Sequence, residues 1–388
     1  MINDFLKYQA QTSPYPLGME VSHAKGSYIY DTNNKAYLDF VAGVSATGLG
    51  HQHPRVNQAI IDQLNKYSHV MVYGEYAQHP ATELCKLLAK HLPEKLNKTY
   101  LTNSGTEATE GALKLARRVT GRSQLISCFN AYHGNTMGSM SVMGFEERKQ
   151  IFRPLIPDVD FITFNNEEDL LKITTKTAGI ILETIQGGAG FIQPHNDFLK
   201  KVRQRCDEVG AVMILDEIQP GFGRTGKLFG FLNYDVVPDV IVMGKGMGGG
   251  MPVGAFTASS EMIDLLRHDP KLGHITTFGG HLATLQELTE TDIMAQTLEK
   301  EKLFRKLLVH PLIEEVRGEG LMLAAMTPAA EITDKVILRC QEKGLILFWL
   351  LFEGKAIRIT PPLTISNGEI EEGCGIIIEV MNEVLGEL

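Results

Sequence analysis

Between about residue 55 and residue 290 the chain alternates short apolar runs with longer stretches whose apolar residues recur at helical spacing. The apolar runs cover residues 124–129, 159–164, 179–182, 212–215, 240–243 and 253–257. Helical spacing marks residues 55–67, 81–91 and 198–209. Runs such as VMIL at 212–215 have no polar face, so both sides of such a strand need cover. Strands of that kind in alternation with helices predict an α/β domain around a mostly parallel sheet.

Two regions flank this one. In the first fifty residues, GSYIYDTNNKAYLDF reads as two strands about a turn from Asp31 to Asn34. Beyond residue 290 the composition turns helical, then gives the apolar run LILFWLLF at 345–352 and a closing helix. That run is far too short for a membrane span and reads as a buried strand. The expected organisation is a large domain over 55–289, with residues 1–54 and 290–388 forming a smaller α+β domain.

The net charge of −9 argues against a nucleic-acid partner. Five scattered cysteines with no CxxC pair suggest free thiols, and the first residues show no basic leader with an apolar core. A cytoplasmic protein is expected, with no membrane partner. His51 and His53 in GHQHP lack further ligand spacing and read as a loop, so no metal is expected.

Three stretches carry chemistry. In AVMILDEIQPGFGRTG, residues 211–226, an apolar strand ends in Asp216 and Glu217. Alone, that is a strand-end acidic pair, but in open α/β sheets ligands gather at the carboxyl ends of strands. Its Gly221, Gly223 and Gly226 spell GxGxxG, yet a dinucleotide site needs those glycines to open a helix, and Pro220 and KLFGFLNYD do not provide one. In PDVIVMGKGMGGG, residues 238–250, Lys245 stands at the end of another apolar run among glycines. A buried ammonium is costly unless paired or put to use. In TNSGTEATEGALKLARRV, residues 102–119, Asn103, Ser104 and Thr106 surround Gly105 at the start of a helical pattern. That is either a plain capped helix or an anion site. One ligand matches all three stretches: pyridoxal 5'-phosphate has a phosphate, a carbonyl for a lysine and a ring nitrogen for an acid.

With those residues in place, the chain resembles the class III pyridoxal-phosphate-dependent aminotransferases, nearest to the acetylornithine and ornithine aminotransferases. The resemblance runs from SPYPL to IRITPPL and rests on NSGTEATE, LDEIQPGFGRTG, PDVIVMGKGMGGG, TTFGG and EVRGEGLMLA in the family's order. It implies fold type I and a homodimer with shared active sites. It implies that Lys245 is the Schiff-base lysine and proton shuttle, that Asp216 partners the ring nitrogen, and that Gln219 contacts O3'. Ser104, Gly105 and Thr106 would serve the phosphate, with Thr277 reaching the phosphate of the other subunit. Tyr132 in FNAYHGNT would stack on the ring, with His133, Glu183 and Ile218 also around the cofactor. Arg358 in AIRIT would grip a substrate carboxylate, with Asn135, Gly188 and Thr276 on the substrate side.

The family pattern is broken in four places. Asn135 stands where ornithine-like members have an arginine, and Gly188 where they have a glutamate that covers Arg358. Pro220 replaces a threonine, and His281 with Leu282 replaces the usual Asn-Pro. The expected activity is ping-pong transfer of an amino group from an amine donor to a 2-oxo acid, 2-oxoglutarate first among them. Gly188 should leave Arg358 uncovered. The alternatives are an α-amino acid racemase, mutase or decarboxylase on the same fold, and more distantly a nicotinamide-dependent oxidoreductase.

Overall fold

A computed structural model of the chain describes residues 1–279 and 289–388. Fifteen strands form three sheets among them. In chain order they are β1 (Val21–Lys25), β2 (Tyr28–Asp31), β3 (Ala36–Asp39), β4 (Lys98–Thr102), β5 (Gln124–Cys128), β6 (Val159–Ile162), β7 (Thr177–Glu183) and β8 (Val212–Asp216). There follow β9 (Val240–Met243), β10 (Gly254–Ala258), β11 (Glu315–Glu319), β12 (Met322–Met326), β13 (Leu345–Ile346), β14 (Phe348–Trp349) and β15 (Ala356–Ile359).

The central sheet has seven strands in the order β4-β10-β9-β8-β7-β5-β6. Its members from β9 to β6 run parallel, and β10 lies antiparallel to both neighbours. All six apolar runs of the sequence are strands here. The edge strand β4, KTYLT, escaped notice because only its last residue is buried and its polar residues mask the pattern.

Side-chain alternation explains why the central strands are apolar throughout. Ile181, Val212, Ile214, Val240 and Val242 pack with Ala108, Ala112, Leu115 and Ala116 of the helix Gly105–Thr120. The intervening residues Ile180, Leu182, Met213, Leu215, Ile241 and Met243 pack with Phe198, Leu199, Val202 and Cys206 of the helix Phe198–Val209. Each face therefore has its own helical cover.

The hairpin near the N-terminus forms as expected, with β2 antiparallel to β3 and Asp31 Oδ1 accepting the N–H groups of Asn33 and Lys35 in the turn. The run at 345–352 is not one buried strand. Leu345 and Ile346 pair with Leu38 and Asp39 of β3, whereas Phe348 and Trp349 pair with Arg358 and Ile357 of β15 in a different sheet. Leu347 is buried between the two, and Phe348 remains 38% exposed. An apolar run reports burial, and here two sheets share it.

Candidate active site

Strands β7, β8 and β9 are adjacent and parallel, so their carboxyl ends open on one edge. Register puts Glu183 beside Asp216 and Asp216 beside Val242. Lys245 follows two residues after β9 and begins the 3₁₀ turn Lys245–Gly248. Its φ of 45° is left-handed, a conformation that costs a side-chain-bearing residue on the order of 1 kcal/mol and gathers at functional sites. The flanking glycines make room for this. A Cβ on Gly244 would lie 3.3 Å from the Cα and N of Gly105, and one on Gly246 would lie 3.3 Å from the Cβ of Phe222. Burial pushes the Lys245 amine down to about 8; the charge of Arg358 pushes the same way, and Asp216 and Glu183 oppose it. An amine of that kind is partly neutral near neutral pH, which is what attack on a carbonyl requires.

Asp216 is 3% exposed and fixed on both oxygens. His133 Nδ1 lies 2.7 Å from Oδ2, where it donates, and the Ile218 N–H donates to Oδ1 at 2.9 Å. Beside it, Glu183 accepts the N–H groups of Gly187 at 2.9 Å and Tyr132 at 3.3 Å, and burial raises its carboxyl to about 7. Gln219 Nε2 donates to Ser45 Oγ at 3.3 Å. The glycines of GFGRTG sit in turns and open no helix, which removes the dinucleotide alternative.

The third loop closes the opposite wall. Ser104 caps the helix Gly105–Thr120 by accepting the Glu107 N–H at 3.3 Å. Ala108 N–H donates to the Ser104 carbonyl, so the N–H groups of Gly105 and Thr106 remain without an acceptor among the described residues. The Thr106 hydroxyl is engaged differently from expectation, 2.7 Å from Ser139 Oγ and 2.9 Å from Thr136 Oγ1. An anion there would meet backbone donors and the positive end of the helix dipole. A Cβ on Gly105 would come 2.5 Å from Ile218 Cδ1, so the Ser-Gly-Thr and Asp-Glu-Ile-Gln segments touch.

On the substrate side, Arg358 is 3% exposed, with Nε donating to the Trp349 carbonyl at 3.4 Å and the guanidinium 5.7 Å from the Phe191 ring centroid. Its buried Nη1 has no partner among the described residues, and burial lowers its pKa to about 10. The space beside Gly188 is not empty. A Cβ there would lie 2.8 Å from Phe352 Cδ2, and the Phe352 N–H donates to the Gly188 carbonyl at 2.9 Å. Asn135 is exposed and has no hydrogen-bond partner among the described residues. Thr276 Oγ1 accepts from Asn103 Nδ2 at 2.9 Å, whereas Thr277 is exposed. His281 and Leu282 lie outside the described residues.

Sequence reasoning missed Ser45, Arg148 and Phe352. Ser45 lies in an undistinguished VAGVSA, Arg148 in a charged FEERK that resembles a solvated face, and Phe352 in an apolar run. His51, read as loop, meets Asp39 Oδ2 at 2.9 Å.

The donor set fits a ligand with a phosphate, a carbonyl and a ring nitrogen. Two backbone N–H groups point out of a helix start, a desolvated amine stands at the strand end, and an oriented carboxylate lies beside it. The orphaned Nη1 of Arg358 suits a further carboxylate.

Comparison with known proteins agrees. The aminotransferase class-III family model matches residues 8–381. The acetylornithine aminotransferase of Clostridium acetobutylicum is 37% identical over 376 residues, covering 92% of this chain and 94% of its own. The LysW-aminoadipate semialdehyde/glutamate semialdehyde transaminase of Sulfolobus acidocaldarius is 34% identical over 377 residues, covering 93% of this chain and 94% of its own. Among solved structures, the ornithine aminotransferase of Toxoplasma gondii matches with a TM-score of 0.92 at 27% identity, covering 100% of this chain and 95% of its own. A second structure of that enzyme, with a TM-score of 0.91 at 28% identity and the same coverage, has PLP at partial occupancy in its active site. With the family's pattern running through nearly all of its length, the chain belongs to the class III aminotransferases.

Proposed function

We propose that this pyridoxal-phosphate-dependent aminotransferase takes its amino group from α-amino acids, glutamate among them, at least as well as from ornithine or acetylornithine, and passes it to 2-oxoglutarate. The observation that carries this is Arg358, buried with Nη1 unpartnered and no glutamate at position 188 to neutralise it. An uncommitted guanidinium beside the reacting amine favours donors whose carboxylate lies close to that amine.

Bound pyridoxal 5'-phosphate supplies a carbonyl that captures the donor's nitrogen and a ring that takes up the electron pair released at the donor's carbon. Lys245 Nζ would anchor the cofactor, then take the proton from the donor's Cα and deliver it to the cofactor's C4'. Asp216, oriented by His133 and the Ile218 N–H, holds a proton on the ring nitrogen. The N–H groups of Gly105 and Thr106 would hold the phosphate, Tyr132 would cover the ring, and Gln219, tethered to Ser45, would contact the ring oxygen. Asn135 offers only neutral donors where an arginine would offer a charged fork.

The working unit proposed is a homodimer in which Thr277 reaches the partner's phosphate, and the division at residues 54 and 289 is proposed for the domains. Pairing of β13 with β3 supports joining the two ends of the chain in one unit. Five unpaired cysteines support a reducing, cytoplasmic setting, and no described helix is long and apolar enough to cross a membrane.

The test is a single-turnover screen of the loaded enzyme, following the cofactor's visible band as each donor is added and its return with 2-oxoglutarate. Glutamate should discharge the band at least as fast as acetylornithine. If acetylornithine is far faster than every α-amino donor, the specificity proposed is wrong and acetylornithine aminotransferase is the better description.

A further inference from the structure

One cation near Tyr132 has no role in the site so far. Arg148 ends the 3₁₀ turn Glu146–Arg148, its guanidinium 5.6 Å from the centroid of the Phe352 ring and its Nη2 donating to the Leu351 carbonyl at 3.2 Å. It is exposed and has no carboxylate partner among the described residues. Its neighbour Glu146 is already taken, by Arg153 at 2.6 Å and by Lys149 at 3.6 Å. Phe352 beneath it is itself fixed, hydrogen-bonded to Gly188 and stacked on Phe145 with ring centroids 4.6 Å apart. The ring of Tyr132 lies 6.5 Å from that of Phe352. Burial raises the pKa of the Tyr132 phenol, and the charge of Arg148 opposes the rise, so the guanidinium is within electrostatic reach of that ring. An arginine stacked on an aromatic and hooked to a carbonyl has surrendered part of its rotamer freedom before any ligand arrives.

Two guanidinium groups without a carboxylate partner among the described residues therefore stand in the site: Arg358, buried with an orphaned Nη1 and within electrostatic reach of Lys245, and Arg148, exposed on the Phe352 shelf near Tyr132. Asn135, also exposed, contributes no charge. We propose that Arg148, held on Phe352, binds the distal carboxylate of a dicarboxylic amino acid or 2-oxo acid while Arg358 holds the carboxylate next to the reacting carbon. This rests on the transaminase function proposed above and narrows it to substrates with an acid at each end.

Arg148→Met keeps an apolar stem on Phe352 and removes the charge; Arg148→Lys keeps the charge and loses the fork. The readouts are KM and kcat with glutamate and with alanine, and inhibition constants of the unreactive probes glutarate and butyrate. Loss of one solvent-facing charged contact should raise the KM for glutamate and the glutarate constant roughly tenfold in Arg148→Met, with kcat changing far less. Alanine and butyrate should respond much less, and Arg148→Lys should recover part of the loss. Phe352→Leu, which removes the stack and leaves the charge, should weaken glutarate by a smaller factor. Equal effects on both classes of ligand, or none on either, overturn the proposal. An unmodified enzyme that transaminates α-amino acids but binds glutarate no better than butyrate overturns it too, while leaving the proposed function standing. An enzyme that discharges with no α-amino donor overturns the proposed function itself.

Discussion

Lys245 sits at the end of β9 with a left-handed backbone and a desolvated amine, and the two conditions have one cause: strand ends and loops converge on it. Its pKa falls from the ordinary 10.5 to about 8 in the folded chain. The folded state thus binds this proton less tightly than the unfolded one, so the charge weighs against folding below about pH 8 and the penalty fades as pH rises toward 10.5. In the cofactor-free protein, alkylation of Lys245 should rise with a midpoint near pH 8, below that of surface lysines, as measured by peptide mass mapping. Borohydride treatment of the loaded protein should then leave the pyridoxyl mass on Lys245, and finding it on Lys227 or Lys271 removes the assignment. Lys245 and Asp216 were legible because a charge ending an apolar run is a local signal. The 2.7 Å contact between His133 and Asp216 joins residues 83 positions apart and has no local signature.

At the scale of elements, the helix Gly105–Thr120 shows how closely packing and site are tied. Its start presents two free N–H groups, and its middle lies against the sheet at Gly111, where any Cβ would overlap the Phe256 ring. Phe256 is fully buried and stacked on Tyr100 with ring centroids 5.2 Å apart, so it has little room to yield. Gly111→Ala should cost ~1–3 kcal/mol through overpacking, and Ser104→Ala ~1 kcal/mol through loss of the cap. Urea unfolding of both variants checks this; Gly111→Ala as stable as the parent would mean that the helix is free to lift from the sheet. The run at 345–352 teaches the opposite lesson. Its apolarity announced burial correctly but not partners, and partners divide it between β3 and β15.

The whole molecule leaves apolar side chains in water around Thr276 and Thr277: Met71 is 47% exposed, Tyr76 64%, Ile275 47% and Phe278 52%. Tyr76 and Ile275 line a cleft of about 1160 Å³ together with Tyr73, Tyr100, Lys271, His274 and Thr276, among others. Such a patch marks an interaction surface. Sedimentation should give a mass near twice 42.9 kDa, and Thr277→Val should weaken cofactor retention without splitting the dimer. A fully active monomer would contradict the shared site. The sequence by itself determined the parallel α/β core, because apolar runs that alternate with helices can be buried on both faces in few other ways. It also singled out Lys245, Asp216 and the Ser104–Thr106 loop as candidates, each marked within a few residues of its own neighbours. Only the tertiary structure decided that Phe352 fills the space beside Gly188, that Thr106 turns its hydroxyl toward Ser139, and that Arg148 lies on an aromatic shelf near Tyr132. Those are contacts between segments far apart in the chain, and no periodicity or cap residue encodes them, because they depend on how strands and loops settle once the core has closed.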